Sequence, residues 1–69
     1  MSFRRRKVVQ SLVGRGFVVH REGGGHTIFR GPAGQQCPVP RHNEIKRGTA
    51  RSIATQARIP WSEFEREIS

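Results

Sequence analysis

Three consecutive glycines, Gly23 to Gly25, lie near the middle of the chain. They are the sequence feature that most limits the folds open to it. Glycine loses more backbone entropy on ordering than any other residue, so such a run supports no regular helix or strand interior. It favours a tight turn that another chain or a ligand can approach closely. His26 follows directly, and imidazole is the usual general acid or base near neutral pH. The same local pattern also fits a flexible hairpin tip beside a surface histidine.

The segments around the glycines predict three short antiparallel strands. Alternating apolar residues indicate strands at Phe17–Arg21 and His26–Arg30, which the glycines join into a hairpin. A Gly-Pro-Ala-Gly turn then leads to a third strand at Gln35–Pro40. Pro38 and Pro40 are two residues apart, so both missing N–H groups face the same side. This spacing predicts an edge strand whose outer side has no partner strand.

A first helix is predicted at residues 3–15, where apolar residues recur at helical spacing. Ser2 is its expected N-cap, and Gly16 lies where a left-handed residue ends a helix. The first turns carry four basic residues from Arg4 to Lys7, although the helix dipole favours acids there. This conflict indicates a function for the basic residues, either contact with phosphate or with the carboxylates of a partner.

A second helix is predicted at residues 46–58, beginning near Gly48-Thr49, with Asn43 or Thr49 as its N-cap. At about 100° per residue, one arc of this helix is apolar and another is basic. The apolar arc contains Ala50, Ile53 and Ala57, and the basic arc contains Arg47, Arg51 and Arg58.

A short amphipathic helix is predicted at residues 61–68, after Pro60, with Ser62 and Glu65 as a capping box. The predicted fold class is therefore α+β, with a helix, a three-stranded antiparallel sheet, a second helix and a short C-terminal helix. With 69 residues, the chain has room for a single domain spanning residues 1–69.

The net charge of +8 favours a polyanionic partner such as nucleic acid, or an acidic protein. Residues 1–59 hold 12 basic and 2 acidic residues, a net charge of +10. Cys37 is the only cysteine, so neither an intrachain disulfide nor a zinc site of paired cysteines is expected. No apolar run approaches membrane-spanning length, and no signal peptide is evident. We expect no metal or cofactor, no membrane contact and a cytoplasmic location.

Only the histidines and Cys37 could perform nucleophilic, metal-binding or proton-transfer chemistry at neutral pH. His20 and Cys37 are interpreted as structural, and His42 either contacts phosphate or caps a turn. His26 fits the cleavage of RNA, because the 2′-hydroxyl of RNA is an internal nucleophile. Such cleavage requires one acid/base group, cations that stabilise charge on phosphorus, and an open loop.

Nearly the whole chain resembles the HicA-type (YcfA-like) mRNA interferase toxins of prokaryotic toxin–antitoxin systems. Four stretches carry the resemblance, and each is quoted as it stands in this sequence: Val8-x-x-x-Leu12 with Gly16-Phe17, Gly24-Gly25-His26, Val39-Pro40-Arg41-His42, and Gly48-Thr49-Ala50-Arg51-Ser52-Ile53 followed by Gln56-Ala57-x-Ile59. The resemblance implies a double-stranded-RNA-binding-domain-like fold. It also implies that a cognate HicB-like antitoxin covers the active site.

In the family, the histidine of a Gly-Ser-His motif is catalytic, and it matches His26. Gly25 stands in the place of the family's serine, and Ala50 in the place of a leucine. The leading hypothesis is a metal-independent endoribonuclease that acts on mRNA with His26 as general acid/base. The expected substrate-binding residues are Gly24, Gly25, Arg4, Arg5, Arg47, Arg51 and His42. Two alternatives stay open: a non-catalytic RNA-binding module of the same fold, and a small basic regulator that binds nucleic acid or an acidic protein.

Overall fold

The computed structural model describes all residues from 1 to 69 and contains three helices and five strands. In chain order the elements are β1 (Ser2–Arg4), α1 (Arg5–Gly14), β2 (Val18–Gly23), β3 (His26–Arg30), β4 (Gln36–Pro40), β5 (Glu44–Lys46), α2 (Arg47–Ala57) and α3 (Trp61–Ile68). The predicted class is confirmed, with a helix, a three-stranded antiparallel sheet, a helix and a short C-terminal helix.

The main sheet has the strand order β2-β3-β4, with both neighbouring pairs antiparallel. The predicted position of β4 at an edge is therefore confirmed. Its residues Pro38 and Pro40 pair with Ile28 and His26, so the backbone hydrogen bonds to β3 are made by the intervening residues. The proline at each of these two positions removes an N–H donor from the outer edge of β4.

The core lies between one face of this sheet and the helices. Thr27 and Phe29 on β3 and Cys37 and Val39 on β4 are buried. The helices contribute Val8, Leu12, Ala50, Ile53, Ala54, Ala57, Phe64 and Ile68 to the same buried cluster. The predicted apolar arc of the second helix is thus confirmed, and the apolar side of the predicted amphipathic third helix packs on the core. Burial raises the pKa of the Cys37 thiol to about 11, in line with a structural role.

Two short strands were absent from the sequence prediction. Ser2–Arg4 pairs antiparallel with Glu44–Lys46, which places the N-terminus against the segment before α2. The first helix therefore begins at Arg5, and its predicted start at residue 3 is wrong. Ser2 is not its N-cap, because the Ser2 hydroxyl donates a hydrogen bond to Glu44, and Arg4 occupies the cap position without a side-chain bond.

The other predicted caps are also wrong. Lys46 is the N-cap of α2, in place of Asn43 or Thr49, and Pro60 is the N-cap of α3, so no capping box forms there. Arg58 lies beyond the end of α2 with a φ of +62°, so it ends the helix and does not continue the basic arc. Gly16, with a φ of +90°, follows α1 in the predicted left-handed conformation. No helix has both the length and the apolar character needed to span a bilayer.

Candidate active site

His26 is the first residue of β3 and follows a two-residue turn. Gly24 and Gly25 have φ values of +60° and +81°, and Gly23 pairs with His26 to close the hairpin. Positive φ at both central residues is the geometry of the tight hairpin turns that match strand twist. A Cβ atom at Gly25 would meet no atom within 4 Å, but a residue with a side chain would be strained by the positive φ at this position. A glycine at position 25 therefore suits this turn.

The imidazole of His26 is exposed on the surface of the sheet. Its neighbours across the two strand pairings are Gly23 on β2 and Pro40 on β4. Neither neighbour has a side chain that can donate a hydrogen bond to the imidazole, and Gly23 has no side chain that could cover the ring. A substrate can therefore reach the imidazole from solvent, which is the arrangement that proton transfer to or from a bound polymer requires.

Behind His26 lies a chain of polar contacts centred on Thr27. Thr27 is 2 % exposed and is the one buried polar residue of the protein. Its hydroxyl accepts a hydrogen bond of 2.9 Å from Nη2 of Arg5 and donates one of 2.8 Å to Oε1 of Glu22. Nη2 of Arg41 donates to the same carboxylate oxygen at 2.6 Å. Four segments of the chain are thereby joined immediately beside the histidine.

The same two arginines also bond to the backbone next to His26, at the residue before it in the chain and at its partner on β4. Nε of Arg5 donates to the carbonyl of Pro40 at 2.9 Å, and the backbone N–H of Arg41 donates to the carbonyl of Gly25 at 3.0 Å. Pro40 pairs with His26, and Gly25 precedes it, so these bonds fix the hairpin turn against the end of β4. These hydrogen bonds hold the backbone around His26 in place, as a positioned catalytic group requires.

The pKa of Glu22 is lowered, first by the hydrogen bond from Thr27 and then by the bond from Arg41. A carboxylate with a lowered folded-state pKa adds stability above its unfolded pKa, and that stability is lost as the pH falls. We expect the melting temperature to fall less steeply between about pH 6 and pH 3 in Glu22→Gln than in wild type.

Circular dichroism melts at several pH values would measure this difference. Thr27→Val, which removes the hydroxyl donor while keeping the shape of the side chain, is the matched variant and should also flatten the profile. The pKa of Glu67 is lowered as well, by hydrogen bonds from Ser11 and Arg15, so part of the slope will remain. Profiles of equal steepness in all three proteins would contradict the assignment.

The predicted basic residues fall into two groups. Arg4, Arg5, Arg6 and Asn43 line an open concavity of about 360 Å³ at the start of α1. Arg5 connects this concavity to the His26 end of the sheet through its bonds to Thr27 and Pro40. The structure therefore brings Gly24, Gly25, His26 and Arg5 together, with Arg4 in the adjoining concavity. His42 is exposed in the loop that follows β4.

Arg47 and Arg51 form the second group, on α2. Their guanidinium carbons lie 5.3 Å and 5.1 Å from the ring centroid of Trp61, and Nη1 of Arg47 is 2.8 Å from Oε2 of Glu65. Both arginines thus contact α3. Their assignment to substrate binding stays a prediction.

Sequence reasoning did not assign Glu22, Thr27 or Arg41 to the site. Glu22 carried a usable signal, because it is the only acidic residue before Glu44 in a strongly basic chain. Thr27 is a polar residue on the face of the strand that holds Phe29, and such a position predicts a bonded hydroxyl. No three His, Cys, Asp or Glu side chains lie together as a metal-binding group.

A family model described as HicA toxin of bacterial toxin-antitoxin matches residues 5–59. The matched region runs from α1 through the glycine turn and His26 to the end of α2. The chain belongs to the HicA toxin family. HicA membership makes it the toxin of a toxin–antitoxin pair and implies an antitoxin partner. A search of curated proteins found no match. In this HicA chain, α3 lies outside the matched residues although Phe64 and Ile68 belong to the core.

Proposed function

We propose that this HicA-family toxin is a metal-independent endoribonuclease that cleaves mRNA, with His26 as its general acid/base. The observation that carries the proposal is the exposed imidazole of His26, held at the end of a strand between Gly23 and Pro40. RNA supplies the nucleophile for this reaction. The 2′-oxygen loses its proton and forms a bond to phosphorus, while the bond from phosphorus to the 5′-oxygen breaks and that oxygen takes up a proton.

One imidazole contributes to this reaction by accepting the first proton or donating the second, a contribution of typically 10²–10⁴-fold. The remaining requirement is positive charge near phosphorus. Nε of Arg5 donates a hydrogen bond to the carbonyl of Pro40, the residue that pairs with His26, so Arg5 supplies positive charge at the same end of the sheet, although it reaches there from the helix side through its bond to Thr27. Cations fixed at the place where charge develops stabilise a transition state more than mobile ones.

The glycine turn and the concavity at the start of α1 complete the proposed substrate site. Gly24 and Gly25 carry no side chains that would block the approach of a polynucleotide to His26. Arg4 and Arg5 line the neighbouring concavity and bind backbone phosphates of the RNA. His42, Arg47 and Arg51 remain candidates for further phosphate contacts. A HicB-like antitoxin covers this site in the inactive complex.

Induced expression tests the proposal in cells. Wild type should arrest growth and reduce the amount of intact mRNA, whereas His26→Ala, expressed to the same level, should do neither. His20→Ala is the matched control, since His20 is exposed on β2 away from the turn, and it should behave as wild type. An intact mRNA pool in cells arrested by wild type would contradict ribonuclease activity and favour an RNA-binding module of the same fold.

A further inference from the structure

The main sheet has one face that the helices leave uncovered. On β3, Thr27 and Phe29 point into the core, so His26, Ile28 and Arg30 lie on the opposite face. We call this surface the open sheet face, and it comprises those three residues with their partners across the strands. His26 and Arg30 are exposed, and Ile28 between them is half-buried. The proposed catalytic residue is therefore at one end of a continuous surface.

A β-bulge places a second arginine on the open sheet face. Val18 pairs with Arg30 and Arg21 pairs with Ile28, with a shift of register at His20 between them. Residues three apart on a regular strand point to opposite faces, and the extra residue of a bulge reverses this. Arg21 therefore shares a face with Val18 and lies next to Ile28. The regular alternation predicted for this strand is interrupted here.

The open sheet face carries positive charge and no carboxylate. Glu22 is on the helix side of the sheet, where it accepts a hydrogen bond from Thr27. The three acids of α3 are bonded to Arg15 and Arg47 among the helices, and Glu44 is in the separate two-stranded sheet. The acidic side chains are thus gathered away from the surface that contains His26. Ile28 and Pro38 lie in the same row across the strands as Arg21 and form a half-buried apolar strip beside the two arginines.

We propose that single-stranded RNA crosses the open sheet face on its way to His26, with Arg21 and Arg30 binding its phosphates. The apolar strip of Ile28 and Pro38 contacts the bases. At about 3.4 Å per residue, the rows of Arg21 and Arg30 lie about 7 Å and about 14 Å along the strands from the row of His26. Exposed sheets bind single strands in this way in other RNA-binding domains, through bases laid on the surface and cations at the backbone. This inference rests on the proposed function for its choice of RNA.

The arginines of the open sheet face differ from those of α2. Arg21 and Arg30 have no carboxylate partner and share a face with His26, whereas Arg47 and Arg51 stack on Trp61 and Arg47 is paired with Glu65. Only the first pair can bind phosphates without giving up a contact within the protein. Substitution of Arg21 or Arg30 should therefore weaken RNA binding more than substitution of Arg51.

The test measures the binding of a fluorescein-labelled 12-nucleotide 2′-O-methyl RNA by fluorescence anisotropy. This probe lacks free 2′-hydroxyls and so cannot be cut by the proposed reaction. The double variant Arg21→Ala/Arg30→Ala should bind about tenfold or more weakly at 0.1 M salt. The slope of log K against log salt should become shallower by about 1.4, or about 0.7 for each lost phosphate contact. Arg66→Ala, an exposed arginine of α3, is the control and should bind as wild type.

Wild-type affinity and salt slope in the double variant would overturn the inference, provided that its melting curve shows a folded protein. Wild-type RNA affinity together with lost binding of a co-expressed antitoxin would also overturn it and assign the face to a protein partner. The outcome is separable from that of the proposed function. If RNA binding depends on the two arginines but ordinary RNA is not cleaved, only the proposed function is contradicted. If cleavage depends on His26 but is unchanged in the double arginine variant, only this inference is contradicted.

Discussion

His26→Ala should reduce the rate of RNA cleavage in the presence of EDTA by about 10²–10⁴-fold, the usual contribution of one general acid/base. The reaction through the 2′-hydroxyl needs no metal, so wild type should retain its rate when divalent ions are chelated. The imidazole is exposed, and the bonds beneath it involve Thr27, Arg5 and Arg41. Its removal should therefore leave the fold and the affinity for uncut RNA nearly unchanged.

Purified protein and a labelled RNA of defined sequence provide the measurement. The products should carry a 2′,3′-cyclic phosphate and a 5′-hydroxyl, and DNA of the same sequence should remain intact. A substrate with a single 2′-deoxynucleotide at the cleaved position should resist cutting there alone. His20→Ala again provides a control that also loses one imidazole. If His26→Ala is folded and cuts RNA within about threefold of the wild-type rate, the catalytic assignment is wrong.

Local patterns were sufficient to predict most of the fold. The strand at His26–Arg30 was predicted with its observed bounds, because its buried and exposed residues alternate. The prolines of β4 predicted an edge strand, and the apolar spacing of α2 and α3 predicted their buried sides. Each of these features depends on residues close together in the sequence, where periodicity and backbone restrictions act directly.

The strands β1 and β5 illustrate what local patterns miss. Each contains three residues, and Ser2 pairs with Lys46, far along the chain. Three residues are too few for periodicity to distinguish a strand from a helical turn. The basic run from Arg4 to Lys7 was therefore treated as part of one helix, although its first residue belongs to β1 and is the N-cap of α1.

The candidate site could be predicted only around the glycine turn. Gly24, Gly25 and His26 are consecutive, so their proximity needs no tertiary information. The contacts from Arg5 to Thr27 and from Arg41 to Glu22 join residues 22 and 19 positions apart. Such contacts depend on how the first helix and the end of β4 pack on the sheet. The bulge at His20 also escaped prediction, because a period of two residues assumes that no residue is inserted.

Phe64→Ala should lower the free energy of unfolding by about 3–5 kcal/mol, the usual cost of truncating a buried phenylalanine. Phe64 is fully buried in α3, and its ring centroid lies 6.3 Å from that of Trp61. At about 0.05–0.15 kcal/mol per residue, a domain of this size has a total stability of about 3–10 kcal/mol. The substitution should therefore leave the protein marginally folded or unfolded at 25 °C, although α3 lies outside the family match.

Urea unfolding followed by tryptophan fluorescence would measure the loss, since the only tryptophan, Trp61, contacts Phe64. Phe64→Leu keeps part of the buried volume, so its stability should lie between those of wild type and Phe64→Ala. Ser62→Ala, at an exposed position in the same helix, is the control and should change the free energy of unfolding by less than about 0.5 kcal/mol. Unfolding of Phe64→Ala at the wild-type urea midpoint would mean that α3 does not contribute to the core. The expected loss would make α3 part of the folding unit, because Phe64 and Ile68 belong to the same buried cluster as side chains of the sheet, α1 and α2.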